Sequence, residues 1–163
     1  MSFRYEFRDL GDLRDLRELI DFLVSQDLGY PSYGEWIQRS IPEFESGYKR
    51  AIIAFSDRRL VSCVVFQPDK NLSGILEIKN VRTHPNLRDR YFLKFGLRQV
   101  EVENPKYIAM KCDVRSDQPL VARSLESCGF IPVITCPLYD KNVKDITMIK
   151  PLDLNKKIKV IHT

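Results

Sequence analysis

A mixed α/β sheet with helices on its faces is the fold class this sequence predicts, and three observations predict it. The 163 residues are 44% apolar and 29% charged, the composition of a globular domain. Alternating and helix-period runs follow one another in the order β-α-α-β-β-β-α-β-α-β-β. Three consecutive strands suggest antiparallel pairing, whereas the strand-helix-strand units imply parallel crossovers.

Each element has its own signal. Phe3, Tyr5 and Phe7 alternate with Arg4 and Glu6, the period of a short strand. Asp12 is placed to cap a helix in which Leu13, Leu16, Ile20, Leu23 and Val24 recur on one side. Gly29 and Pro31 end it. A second helical piece, "YGEWIQRSIPEF", meets Pro42, which is expected to break or restart it. "RAIIAFS" and "LVSCVVFQP" flank "DRR" and read as two strands with a tight connection. "GILEIKNVRTHP" is a further strand. In "RYFLKFGLRQVEVE", Phe92, Phe95, Gln99 and Val100 are spaced as one helix face. "KYIAMKCDV" is an apolar strand. "DQPLVARSLESCGF" is a helix with Asp117 as the expected cap, Pro119 in the first turn and Gly129 closing it. "FIPVITCP" and "DITMIKPL" complete the strands.

Several function classes lose ground on composition. No apolar run approaches the ~20 residues of a membrane span. The opening "MSFRYEF" has no long apolar segment, so a cytoplasmic location is expected. Lys and Arg number 26 against 22 Asp and Glu, a net +4. That suits an anionic ligand but is too small an excess to argue for nucleic acid. The four cysteines form no CxxC pair, and only two histidines occur. Both facts argue against a structural metal; buried thiols in strands behave as small hydrophobes.

The element order, read with the residues from Glu77 to Arg90 and from Cys128 to Pro151, resembles the GNAT superfamily of N-acetyltransferases. The resemblance runs from "FRYEF" to "MIKPL". It implies one GNAT-like domain over residues 1–152, with 153–163 a basic tail or an extra strand. In that family the fourth strand splays from the parallel fifth, and the pantetheine arm of acetyl-CoA enters between them. The loop after the fourth strand holds the pyrophosphate on backbone amides at a helix N-terminus, where orphan donors and the helix dipole favour an anion.

The window matching that loop is "RDRYFL". Arg88 fits its first position, while Tyr91 and Leu93 stand where the family has glycine. Glycine admits positive φ and close approach of phosphate; tyrosine and leucine keep the amides but add bulk. The resemblance assigns Arg88, Asp89, Arg90, Tyr91, Phe92 and Leu93 to the pyrophosphate, with Arg88 and Arg90 able to grip its charge. It assigns strand amides near Val81 and Arg82 to the thioester and places Gln118 at a cofactor-binding position. Val114, Gly129 and Phe130 keep the frame of the last helix. Leu125, however, occupies the place of the tyrosine that protonates the departing thiolate.

Glu77 lies eleven positions before Arg88, the spacing of the general base in histone-type members. A carboxylate there would take a proton from an ammonium; it would equally be a strand residue facing solvent. Tyr30, Tyr33 and Trp36 are expected to wall the acceptor pocket or to pack as a local core. Tyr139 is the weak candidate to replace the missing acid. No acidic cluster is evident in the sequence. The leading expectation is therefore acetyl transfer from acetyl-CoA to a primary amine. The alternatives are a catalytically degenerate module that binds and regulates a protein or nucleic acid, with a protein partner or homodimer, and a coenzyme sensor without turnover.

Overall fold

The structure, a computed structural model, describes residues 5–87 and 91–152. Seven strands and four helices follow the expected order. They are β1 (Tyr5–Asp9), α1 (Leu13–Ser25), α2 (Tyr33–Glu45), β2 (Arg50–Ser56), β3 (Arg59–Pro68) and β4 (Ile75–Thr83), then α3 (Phe92–Glu103), β5 (Ala109–Arg115), α4 (Pro119–Ser127), β6 (Ile131–Asp140) and β7 (Val143–Pro151). A single 3-10 turn, Pro85–Leu87, follows β4. The strands line up in the order β1-β2-β3-β4-β5-β7-β6. Antiparallel pairing joins β1 to β2, β2 to β3, β5 to β7 and β6 to β7, while β4 and β5 pair in parallel. The fold is the mixed, mostly antiparallel sheet with flanking helices that the sequence predicts.

The chain forms two compact units, Met1–Gln67 with Asn80–Val100 and Pro68–Lys79 with Glu101–Thr163. In the first, α1 and α2 lay Leu16, Leu19, Leu23, Ile37 and Phe44 against Ile53, Cys63 and Val65 of β2 and β3. Asp12 caps α1 as expected, its carboxylate accepting the Asp15 amide at 3.0 Å. The buried stripe of α1 is not the expected one: Leu13 and Val24 are exposed, and Leu19 and Phe22 take their places. The β2–β3 turn closes on Asp57 and Arg58, both at positive φ. That is the twist a two-residue hairpin requires, without the usual glycine.

Two further expectations need correction. Pro42 does not break α2, which runs through it to Glu45. Proline removes one ladder donor, and the buried face of Tyr33, Ile37, Ser40 and Phe44 offsets that loss. In α3, Phe95 is 54% exposed and the buried residues are Phe92, Gly96, Leu97 and Val100. Gly96 is there because of its size. A Cβ at that position would lie 2.8 Å from Val64 Cγ2, so the absence of a side chain lets α3 close on β3.

In the second unit, β5 alternates buried Met110, Cys112 and Val114 with half-buried Lys111, Asp113 and Arg115. Leu76, Ile78, Leu125, Phe130 and Met148 are also buried. The start of α4 departs from expectation. Gln118, not Asp117, is the N-cap, and its side chain makes no capping bond. Asp117 is instead held by Arg115 through two bonds of 3.0 and 2.6 Å. The far end is as expected. The Gly129 and Phe130 amides return to the carbonyls of Glu126 and Leu125, with Gly129 at φ +97°. The outermost strand β6 is mostly exposed, and Pro132 and Pro137 give it no ladder donors, which blunts the edge.

Asp69 and Lys111 form the most enclosed ion pair described in this unit. Asp69 also accepts the amides of Asn71 and Leu72, both at 2.8 Å, and so closes the β3–β4 connection. Burial pushes its carboxyl up, but Lys111 and the two amides outweigh burial and hold it below the ordinary carboxylate range.

Two stability predictions follow from these contacts. Gly96→Ala adds helix propensity yet should lower unfolding stability by about 1 kcal/mol or more, with Val64→Ala recovering part of the loss in denaturant titrations. A stabilised Gly96→Ala would contradict the close approach. Because Asp69 titrates lower in the folded chain, its contribution is complete above about pH 4 and is lost as pH falls through the folded value. Asp69→Asn should therefore be the less stable protein at neutral pH, and its deficit should shrink in acid.

Candidate functional site

The parallel rungs run from Ile75↔Ala109 to Ile78↔Cys112 and cover the first four of the nine residues of β4. Beyond them β4 carries Asn80, Val81, Arg82 and Thr83, and β5 carries Asp113 to Arg115. Alternation along β4 buries Leu76, Ile78 and Asn80 on one face and sends Glu77 and Lys79 to the other.

In the first unit Arg82 organises the aromatic residues. Its Nε donates to the Gln26 carbonyl at 3.0 Å and a terminal nitrogen donates to the Val81 carbonyl at 2.8 Å. The guanidinium sits 5.9 Å from the Tyr30 ring and 5.8 Å from the Tyr33 ring. Tyr33 is buried, stacks on Trp36 at 5.9 Å and donates its hydroxyl to the Leu23 carbonyl at 2.8 Å. Trp36 in turn lies 4.9 Å from the Lys49 ammonium. Tyr30 and Trp36 are half-buried against the same core. All three pack against the core of this unit, with Tyr30 the more accessible of the two tyrosines.

Neither titratable neighbour is an available acid or nucleophile. Burial raises the Tyr33 phenol against the opposing effects of Arg82 and Asn80. Burial also pushes the Cys63 thiol up to about 12, although Arg82 acts to lower it. The Asn80 side-chain oxygen is buried without a hydrogen-bond partner.

The loop after β4 is described only in part, since Arg88, Asp89 and Arg90 lie outside the described residues. Tyr91 has φ +62°. It thus adopts the left-handed backbone that glycine provides in the resembling family, and its side chain is 68% exposed. Its carbonyl accepts the Phe95 amide at 3.1 Å, which starts α3. Phe92 turns inward onto Ala54 and Val61, with Leu87 beside it, while Leu93 is half-buried. Orphan amides open α3 at this end, the kind of donor that suits an anionic group such as the pyrophosphate of acetyl-CoA.

The second unit gathers the charged residues. Glu77 is not turned to solvent: its side chain is 12% exposed and Lys79 contacts it at 3.0 Å. The register sets Glu77 opposite Lys111, and Asp113 opposite Thr147. Asp113 accepts the Thr147 hydroxyl at 2.6 Å and the Tyr139 hydroxyl at 3.4 Å. Burial of its hydroxyl end raises the Tyr139 phenol, and Asp113, Glu77 and Asp145 add to the rise. A phenol held protonated and already donating to a carboxylate is a reluctant acid, which weakens the role expected of it. Leu125, in the place of the family's acid, is buried. Gln118 caps α4, half-buried, its carbonyl accepting the amides of Val121 and Ala122.

Glu77, Asp113, Thr147, Tyr139 and Asp145 are thus brought together within one unit, and only Glu77 and Tyr139 were singled out by sequence. The overlooked signal was the alternation of Lys111, Asp113 and Arg115 with apolar residues. Among the described residues no group of three or more His, Cys, Asp or Glu is placed to hold a metal ion, and no helix is long and apolar enough to cross a membrane.

The sequence matches no protein-family model and no curated protein. The fold does match solved structures. A protein assigned to the GNAT family of acetyltransferases from Desulfovibrio desulfuricans superposes with a TM-score of 0.77 at 12% identity, over 92% of this chain and 100% of that one. The ribosomal-protein-S18-alanine N-acetyltransferase of Escherichia coli gives 0.73 at 14%, over 93% and 96%. A dodecameric spermidine N-acetyltransferase of Vibrio cholerae gives 0.69 at 13%, over 91% and 94%. At these identities the likeness establishes the fold.

The left-handed Tyr91 yields a prediction for the loop. Tyr91→Gly should raise stability by roughly 0.5–1 kcal/mol in denaturant titrations, because glycine relieves the positive φ and little packing is lost. A loss of stability would show that the exposed ring is anchored.

Proposed function

We propose that this protein is an acyl-CoA-dependent N-acyltransferase that carries an acetyl group to a primary amine by direct transfer. The observation that carries the reading is Glu77: a carboxylate 12% exposed, on the strand that pairs in parallel with β5. The GNAT-type fold of the solved neighbours supports it. Acetyl-CoA would supply the acetyl group as an activated thioester. The candidates to hold its pyrophosphate are the backbone amides of Tyr91, Phe92 and Leu93, with Arg88, Asp89, Arg90 and Gln118 carried over from the resemblance. The backbone of Val81 and Arg82 would orient the acyl end.

Glu77 accepts the proton that the amine loses as its nitrogen bonds to the acyl carbon, directly or through one water. Lys79, beside Glu77, disfavours a second cation there, so an amine at this carboxylate is held in its neutral, nucleophilic form. The leaving thiolate is stable enough to depart without the tyrosine acid that Leu125 replaces, and it can take its proton from solvent. Tyr139 contributes by holding Asp113 rather than by giving up its proton. Proximity of the two substrates supplies much of the remaining acceleration.

A second reading is favoured by two observations: the Glu77–Lys79 ion pair and the buried Leu125 in place of the acid. Under it the chain is a catalytically degenerate module that binds a macromolecule. Glu77→Gln separates the two. For a transferase, coenzyme release in an amine panel should fall by ~10²-fold or more while cooperative unfolding is retained. Equal rates in Glu77→Gln and the unaltered protein would remove Glu77 as the base. No turnover in either would favour the module.

A further inference from the structure

Lys79 and Lys111 stand on the polar face of the second unit, and they are held differently. Lys111 pairs with Asp69, which is itself tied to two amides. Burial pushes the Lys111 ammonium down, but the bond to Asp69 and the charges of Glu77, Asp69 and Asp113 outweigh burial. They hold it above the ordinary lysine range, so Lys111 keeps its proton. Lys79 has a single partner. Its Nζ donates to Glu77 Oε1 at 3.0 Å, and among the described residues neither side chain makes another hydrogen bond. The contact is enforced by the strand, since residues 77 and 79 share one face of β4. Lys79 is also the first residue past the last parallel rung, Ile78↔Cys112. Its side chain is 21% exposed, so the amine is sheltered without being sealed.

The fold thus seats a primary amine on the candidate base. An amine arriving from solution loses translational and rotational freedom to reach that position, whereas one built into the same strand does not. A lysine sheltered from water is also the side chain whose ammonium shifts most readily toward its neutral, nucleophilic form.

We propose that Lys79 is itself an acyl acceptor: supplied with acetyl-CoA, the protein acetylates its own Lys79, with Glu77 as the base. This rests on the N-acyltransferase reading. The Lys79 ammonium gives one proton to Glu77, which passes it to water. The neutral nitrogen then bonds to the acyl carbon, and the carbon–sulfur bond breaks with its electron pair on sulfur. The second proton shed by nitrogen ends on the thiolate. One ammonium and one thioester become one amide, one thiol and one proton in solution. The acetylated side chain carries no charge, so the modification removes the ion pair that now covers Glu77 and leaves Lys111 as the cation acting on it.

Incubating the full chain with acetyl-CoA, followed by intact-mass measurement and peptide mapping, tests this. Acetyl-CoA calorimetry and the amine panel are run in parallel. One acetyl group per chain should appear on Lys79, at least about tenfold faster than on the exposed Lys70, Lys141 and Lys144. Glu77→Gln should slow labelling of Lys79 at least about tenfold and leave those three lysines unchanged. Lys79→Arg should lose the fast label. Coenzyme binding or amine turnover without label on Lys79 overturns the self-acylation and leaves the transferase reading standing. Label that reaches Lys79 no faster than the exposed lysines, or equally fast in Glu77→Gln, is unassisted chemistry and overturns it too. No binding, no turnover and no label overturns both readings. Should Glu77→Gln fail to fold, the ratio of Lys79 label to exposed-lysine label in the unaltered protein decides the matter.

Discussion

The strict alternation of β4, locked by its parallel register with β5, is the constraint on which the rest depends. Leu76 and Ile78 must be buried, which commits Glu77 and Lys79 to the opposite face. The rung Glu77↔Lys111 then fixes the position of Asp113 two residues farther along β5, and the rung Asp113↔Thr147 carries that face into β7. A slip of one residue would drive Glu77, Lys111 and Asp113 into the apolar core and expose Leu76, Met110 and Cys112. The position of the candidate base is thus set by hydrophobic burial on the reverse side of its own strand.

The charged groups on that face are engaged in different ways. The Asp69–Lys111 pair is structural, since Asp69 also closes the connection into β4. Glu77 is partly neutralised by Lys79 but still has an exposed edge. Asp113 lies near Lys111 and accepts the Thr147 and Tyr139 hydroxyls, while Asp145 accepts the Leu138 amide and lies across the ladder from Arg115. In the first unit the logic differs. Arg82 is consumed in tying the end of α1 to β4, and the tyrosines around it are packing residues. One arginine and one carboxylate on the same strand therefore have unlike duties.

Local chemistry made much of the fold legible in advance. The Asp12 cap, the Gly129 terminus and the strand runs of β2 to β5 depend on neighbours within a few residues, and each appears where the sequence places it. The misreadings arose where distant packing decides. Phe95 has the spacing of a core residue, but α3 must turn Gly96 toward Val64, and that rotates Phe95 outward. Pro42 is tolerated because the helix face around it is already buried. Asp113, Thr147 and Asp145 could not be joined from sequence, because the β5–β7 register depends on two strands separated by a helix and another strand. Tyr91 shows another limit of sequence, since nothing local announces that a tyrosine there takes a positive φ.

The central claim is that this chain handles an acyl-CoA. The most direct measurement is calorimetric titration of the purified protein with acetyl-CoA, with desulfo and dephospho analogues as controls. Saturation at one equivalent with micromolar affinity, weakened by loss of the phosphate, is the result expected of an N-acyltransferase. No heat and no competition at millimolar ligand would contradict it and leave a GNAT-type fold put to another use.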